Sequence, residues 1–244
     1  GACVILGALA GTLLASGISD AIGRKKTMVF AGVLFALSAI GTAIPETIVM
    51  FNIFRVIGGI GIGLAMVISP VYIAEVAPRR IRGALVTLNQ IVIVGGALIA
   101  LILSYFLAKH VSDDISWRWM FGSECVPILG LVLGLLLIPE SPRWLVKMGR
   151  ESEARDVLAR INGPEAAELD IREINASIVL EKQPQAAGYA ELFHPGIRVA
   201  MFIGIGLAVF QQISGGMPLA MYAPLIFKQA GFVKTEDAIG LTIF

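Results

Sequence analysis

Six stretches of this chain carry no Asp, Glu, Lys or Arg: 1–19, 27–45, 56–74, 83–108, 125–139 and 199–227. A helix needs roughly 20 predominantly apolar residues to cross the hydrocarbon of a bilayer, and a soluble core rarely supplies one such run. Backbone polar groups in lipid must be satisfied within the segment, so repeated runs of this length are compatible with helices and little else. The chain therefore reads as an all-α, polytopic membrane protein. Its 244 residues are 57% hydrophobic and 15% charged, against about 25% charged in soluble domains. Spans are expected at about 1–19, 27–46, 50–74, 83–108, 119–139 and 198–230, with a partial one from about 237.

The placement of the charges says more than the net charge of +1. Arg24, Lys25 and Lys26 follow the first span, and Arg79, Arg80 and Arg82 follow the third. A long segment after the fifth span holds Arg143, Lys147, Arg150, Arg155, Arg160 and Arg172. The intervening connections carry no basic residue at "PETI", and balanced charge at "KHVSDDISWR". Basic loops stay on the cytoplasmic side, which predicts cytoplasmic loops at 20–26, 75–82 and 141–197. Within 141–197, "ESEARDVLARI" and "AAELDIREINASIVLEK" have helical periodicity with a polar face, divided by Gly163-Pro164 and closed by Gln183-Pro184. Residues 1–140 are thus expected to form one membrane bundle, 141–197 a helical linker domain, and 198–244 the start of a second bundle. Residue 1 falls inside an apolar run without an initiator Met, and "AIGLTIF" begins another, so the sequence reads as an internal stretch of a longer chain.

"RVIGGIGIGLA" (55–65) places four glycines within six positions. Phosphate-binding glycine loops need a strand before them, and a Walker loop also needs Lys-Ser/Thr after it. Neither surrounds this string, so its role is helix packing. Gly59 and Gly63 share one helix face and permit close approach of a neighbouring helix. Cys3 and Cys125 lie in apolar spans and read as packing residues, while His110 and His194 have no ligand spacing around them. No catalytic residue, metal site, cofactor or nucleic-acid surface is indicated.

Several polar residues interrupt the apolar runs. Arg55 opens the glycine-rich helix; it either snorkels to headgroups or pairs with an acid on another helix. No acidic partner for it is identified in the spans of this chain. Gln90 lies two turns into its span, and Gln211 and Gln212 lie mid-span before "SGGMPLAMYAP". An amide facing lipid leaves hydrogen-bonding positions unmet, so these side chains face protein or water. A single Gln can be interhelical glue, but adjacent glutamines point about 100° apart and do not serve one contact. A helix interrupted at midplane beside polar groups is where transporters hold substrate, and amides suit a neutral, polyhydroxylated one. Acids and bases also meet at helix ends: Asp20 with Arg24, Glu75 with Arg82, and Glu140 with Arg143. Such pairs could lock two bundles in one state and release them in another.

The ordered set "GRKK", "RVIGGIGIGLA", "SPVYIAEVAPRRIRGAL", "NQ", "WRWMF", "PESPRWL", "ELF" and "FQQISGG…YAP" resembles the sugar porter family of the major facilitator superfamily, from its second to the start of its eighth transmembrane helix. The resemblance implies two six-helix bundles joined by a cytoplasmic helical domain. It implies sugar contacts at Gln90, Gln211 and Gln212, with Met217 and Tyr222 in the same site. Arg55 matches the arginine that partners a first-helix acid in proton-coupled members. Asp20, Arg24, Glu75, Arg82, Glu140 and Arg143 fall in a cytoplasmic gating charge network. Met217 and Met221 stand where the family pattern has Asn and Tyr, which removes hydrogen-bonding capacity; Ser16 replaces a usual glycine. The function implied is alternating-access transport of a monosaccharide or polyol across a plasma or bacterial inner membrane, by proton symport in preference to facilitated diffusion. The alternatives are a carrier for another organic solute and a sugar receptor that does not transport.

Overall fold

A computed structural model describes residues 2–45, 47–78, 80–182, 195–215, 222 and 225–226. Among the described residues ten helices follow in order: α1 Ala2–Ile22, α2 Arg24–Ala43, α3 Ile48–Val76, α4 Arg82–His110, α5 Asp113–Gly122, α6 Cys125–Leu137, α7 Pro142–Lys147, α8 Glu151–Asn162, α9 Pro164–Lys182 and α10 Pro195–Ile213. Among the described residues, Ala2–Ile22, Arg24–Ala43, Ile48–Val76, Arg82–His110 and Ile115–Leu137 are long and apolar enough to cross a membrane.

The fifth span departs from the expected 119–139. It begins at Asp113, where Ile115 and Ser116 N–H groups donate to the Ser112 carbonyl, and its hydrogen-bond pattern breaks at Ser123–Glu124. Pro127 is the cause: it has no N–H, and its ring crowds the carbonyl four residues back. The chain responds by tightening to three-residue bonds, Glu124 N–H to Phe121 O at 3.2 Å and Val126 N–H to Ser123 O at 3.1 Å.

α3 is the centre of the bundle because its glycines open two faces. A methyl built on Gly63 would lie 2.2 Å from the Ala8 carbonyl oxygen, and one on Gly59 would lie 2.3 Å from that of Val4. The α1 side is equally bare, since a methyl on Gly7 or Gly11 would lie 2.2 Å from an α3 carbonyl oxygen. Two backbones in contact gain dispersion along their whole seam, which drives helix association where lipid is as apolar as leucine. Gly58 and Gly61 turn toward α2, against Ser38 and Phe35. Ala15, Met28, Ala31, Leu64, Ile68, Tyr72 and Leu135 fill the core between the four elements.

The linker helices bury their own apolar face. Trp144 and Leu145 pack on Ala154, and Leu158 on Ala167 and Ile171. Ser141 accepts the Trp144 N–H at 3.3 Å as N-cap of α7, with Pro142 at the first helical position. The chain divides into two compact units. The first comprises Gly1–Ala97 and His110–Ser177, so α7, α8 and most of α9 belong with the bundle; the second holds Leu98–Lys109 and the described residues from Ile178 onward.

Candidate functional site

At the linker end of the first unit, Gly23 joins α1 to α2 with φ 101° and ψ 160°, a conformation open only to glycine. The turn delivers Arg24 into a buried position between two carboxylates. Its Nε and Nη2 donate to Glu75 Oε2 and Oε1 at 3.0 and 3.1 Å, a bidentate pair, and Nη1 donates to Asp20 Oδ1 at 2.9 Å. The Arg24 and Glu75 side chains are 10% and 11% exposed. In that setting charge-assisted bonds are strong, and a partner left alone is costly.

α7 closes the network. Ser141 Oγ donates to Glu75 Oε2, the Trp144 indole N–H donates to the Asp20 carbonyl at 3.0 Å, and Lys147 Nζ reaches Asp20 Oδ2 at 3.1 Å. Glu140 Oε1 accepts the backbone N–H groups of Lys25 and Ser141, each at 2.9 Å. It thereby supplies negative charge to the first turn of α2. The Tyr72 hydroxyl donates to the Pro139 carbonyl at 2.9 Å.

The structure thus brings together Asp20, Arg24, Glu75 and Glu140: Asp20 pairs with Arg24, four residues on, and Glu75 takes the same Arg24 as its partner. Glu75 is bound by Arg24 of α2, not reserved for Arg82, because the last turn of α3 presents it to α2. Arg82 is exposed at the start of α4, with Nη2 3.5 Å from the Ala77 carbonyl. Glu140 caps a helix, while Arg143 and Arg82 line a cavity of about 600 Å³ with Glu75, Asp170, Glu173 and Asn162. Ser141, Trp144 and Lys147 were missed by sequence reasoning. "SP" at 141–142 is an N-cap signature that could have placed Ser141 at a helix start, but nothing local points it at Glu75.

Arg55 occupies the opposite half of α3. Its Cζ lies 4.2 Å from the Phe121 ring centroid and 5.4 Å from that of Phe51. Glu124 is near enough for the Arg55 charge to act on its carboxylate. The expectation that these spans offer no acid is therefore corrected: Glu124 stands one residue before the charge-free run from Cys125 and was read as part of an apolar span. Arg118 is placed nearby, its Nη1 donating to the Ala43 and Ile44 carbonyls at 3.3 and 3.1 Å and its Cζ 4.7 Å from the Trp117 ring.

Gln90 is exposed on α4, a helix with no buried residue. Its neighbour Asn89 is half-buried, with Oδ1 accepting from Ser69 Oγ at 3.4 Å. Gln211 is exposed in the last turn of α10, which ends at Ile213 with Gly215 following at φ 72°; beyond it, the described residues Tyr222, Leu225 and Ile226 are helical. Tyr222 is exposed. The Gln212 side chain, Arg79, Gln183-Pro184, His194, Met217, Met221 and the span expected from about 237 lie outside the described residues.

Fold and site together define a multi-pass helical membrane protein of the major facilitator type. The family model "Sugar (and other) transporter" matches residues 1–244, and the chain belongs to that family. It is 38% identical to the arabinose-proton symporter of Bacillus subtilis, with 94% of this chain and 50% of that protein covered. It is 37% identical to the D-xylose-proton symporter of Escherichia coli K12, covering 99% and 52%. Among solved structures, the partially occluded inward-open conformation of the xylose transporter XylE from E. coli matches with a TM-score of 0.84 at 34% identity, over 99% of this chain and 57% of that one. The chain spans about half the length of the curated relatives it matches.

Proposed function

We propose that the full-length gene product is a secondary carrier that moves a monosaccharide or polyol across a plasma or bacterial inner membrane by alternating access, coupled to protons. The observation that carries this reading is the exposure of Gln90 and Gln211 on helices that are otherwise almost wholly apolar. Uncharged amides are costly against lipid and suited to exchange hydrogen bonds with sugar hydroxyls. The sugar-proton symporters among the relatives support the same substrate class. Gln212, Met217 and Tyr222 complete the substrate site in this reading, and Arg55 with Glu124 forms the proton-coupling end of the bundle. Asp20, Arg24, Glu75, Arg82, Glu140 and Arg143 form the gate, on the cytoplasmic face with loops 20–26, 75–82 and 141–197. Residues 1–140, 141–197 and 198–244 act as N-terminal bundle, linker domain and start of the C-terminal bundle.

Counterflow of labelled glucose and xylose into proteoliposomes tests this, because counterflow needs no ion gradient. Unlabelled sugars and polyols are expected to compete, and Gln211→Ala to weaken that competition at normal folded yield. Silence across carbohydrates would refute the reading. It would favour a carrier for another organic solute, which the methionines at 217 and 221 make the second choice.

A further inference from the structure

Arg55 sits on a strip of aromatic faces. Phe51 lies one turn before it on the same side of α3, and Phe121 reaches over from the last turn of α5. The two rings meet edge to face with centroids 5.4 Å apart, and Trp117, one turn before Phe121, backs it at 6.5 Å. The guanidinium therefore lies against two ring faces, with the Glu124 carboxylate within range of its charge. A ring face attracts a cation through its quadrupole, and it neither gains nor loses a proton. Whatever share of Arg55 the rings hold is withheld from carboxylates.

We propose that Phe121 is a positioning residue for proton coupling, its ring face holding Arg55 in competition with the carboxylate that takes up the proton. The inference rests on the proton-coupled reading above. The packing around it is simple in charge. α1 offers only the Cys3 thiol before Asp20, α2 has no ionisable side chain between Lys26 and its end at Ala43, and α3 has none besides Arg55 before Tyr72. From α5 and α6 come Arg118, Glu124 and Cys125, with Asp113 and Asp114 two turns back at the start of α5. Arg118 is occupied by Trp117 and the Ala43 and Ile44 carbonyls, and Glu124 is a described acid on which the Arg55 charge acts.

Phe121→Leu keeps an apolar side chain and removes the face. Arg55 then pairs more fully with carboxylate, and the deprotonated form is favoured. A proton-coupled carrier loses uptake as pH rises through the acid's titration, so the pH of half-maximal uptake moves down. The expected shift is about 0.7 unit, roughly a fivefold change in proton affinity or about 1 kcal/mol. The experiment is the external-pH profile of sugar uptake by the full-length gene product in proteoliposomes, with counterflow measured alongside. Phe121→Tyr retains the face and is expected to keep the wild-type profile, while Phe51→Leu, at the more distant ring, gives a smaller downward shift and serves where Phe121→Leu folds poorly. An unshifted or upward-shifted profile in both leucine variants, with wild-type uptake itself pH-dependent, overturns the inference alone. Wild-type uptake indifferent to pH overturns the proton-coupled reading and the inference with it.

Discussion

Gly63→Ala is the most direct test of the α1–α3 seam. The added methyl would stand 2.2 Å from the Ala8 carbonyl oxygen and 2.6 Å from the Thr12 nitrogen. Ordinary contact begins at 3.4 Å, so the helices must part by about 1.2 Å, and both contacts are backbone that no rotamer change can clear. A gap of 0.5–1 Å already forfeits a quarter to a half of each dispersion contact, and overpacking of this kind costs about 1–3 kcal/mol. Alanine's better helix propensity returns at most about 1 kcal/mol. The net expectation is a loss of about 1–2 kcal/mol, or roughly 1–4 °C in Tm, the lower end for the longer full-length product. Gly95→Ala on α4 is the matched control, since among the described residues a methyl there meets nothing within 4 Å. Both variants would be compared by thermal unfolding of the detergent-solubilised full-length product, followed by loss of the monodisperse peak. Gly95→Ala should equal or slightly exceed wild type. Equal melting temperatures for Gly63→Ala and Gly95→Ala would refute the claim that backbone contact sets the position of α3.

Two further outcomes follow from the polar sites. Arg24→Met strands the buried Glu75 carboxylate beside Ser141 and should cost about 3–5 kcal/mol, whereas Lys147→Met, at the exposed edge of the same network, should cost under about 1 kcal/mol; chemical unfolding of the two separates these. Met217→Asn restores a hydrogen-bonding amide and should raise the affinity of common hexoses about tenfold or more in counterflow competition, with unchanged affinity refuting a place for residue 217 in the site.

The spans were legible because lipid imposes a requirement each segment meets by itself: an uncharged run and an internally bonded backbone. Helices α8 and α9 were legible for a similar reason, since the polar face of "ESEARDVLARI" and the Gly163-Pro164 break are local. The charge partners distant in sequence were not. Glu75 and Arg82 are close in sequence, yet the direction of the last turn of α3 sends Glu75 to Arg24, a choice made by tertiary packing. Glu124 falls inside the expected span 119–139, where a single acid is hidden by the apolar residues around it; only the approach of α5 to α3 brings it within range of the Arg55 charge. The break before α6 could have been anticipated from Pro127, whose missing N–H acts on its own helix.

The contact of Glu140 with α2 has a consequence for how such sequences can change. Glu140 grips two main-chain N–H groups, which every residue except proline supplies, so the identities of residues 25 and 141 are immaterial to the grip itself. Position 23 is the opposite case. A methyl there would fall 2.4 Å from Glu140 Oε2, on a backbone that already excludes side chains. Substitution is thus free at Lys25 as far as this contact goes, while Gly23 is held to glycine by its backbone and has the Glu140 carboxylate packed against it.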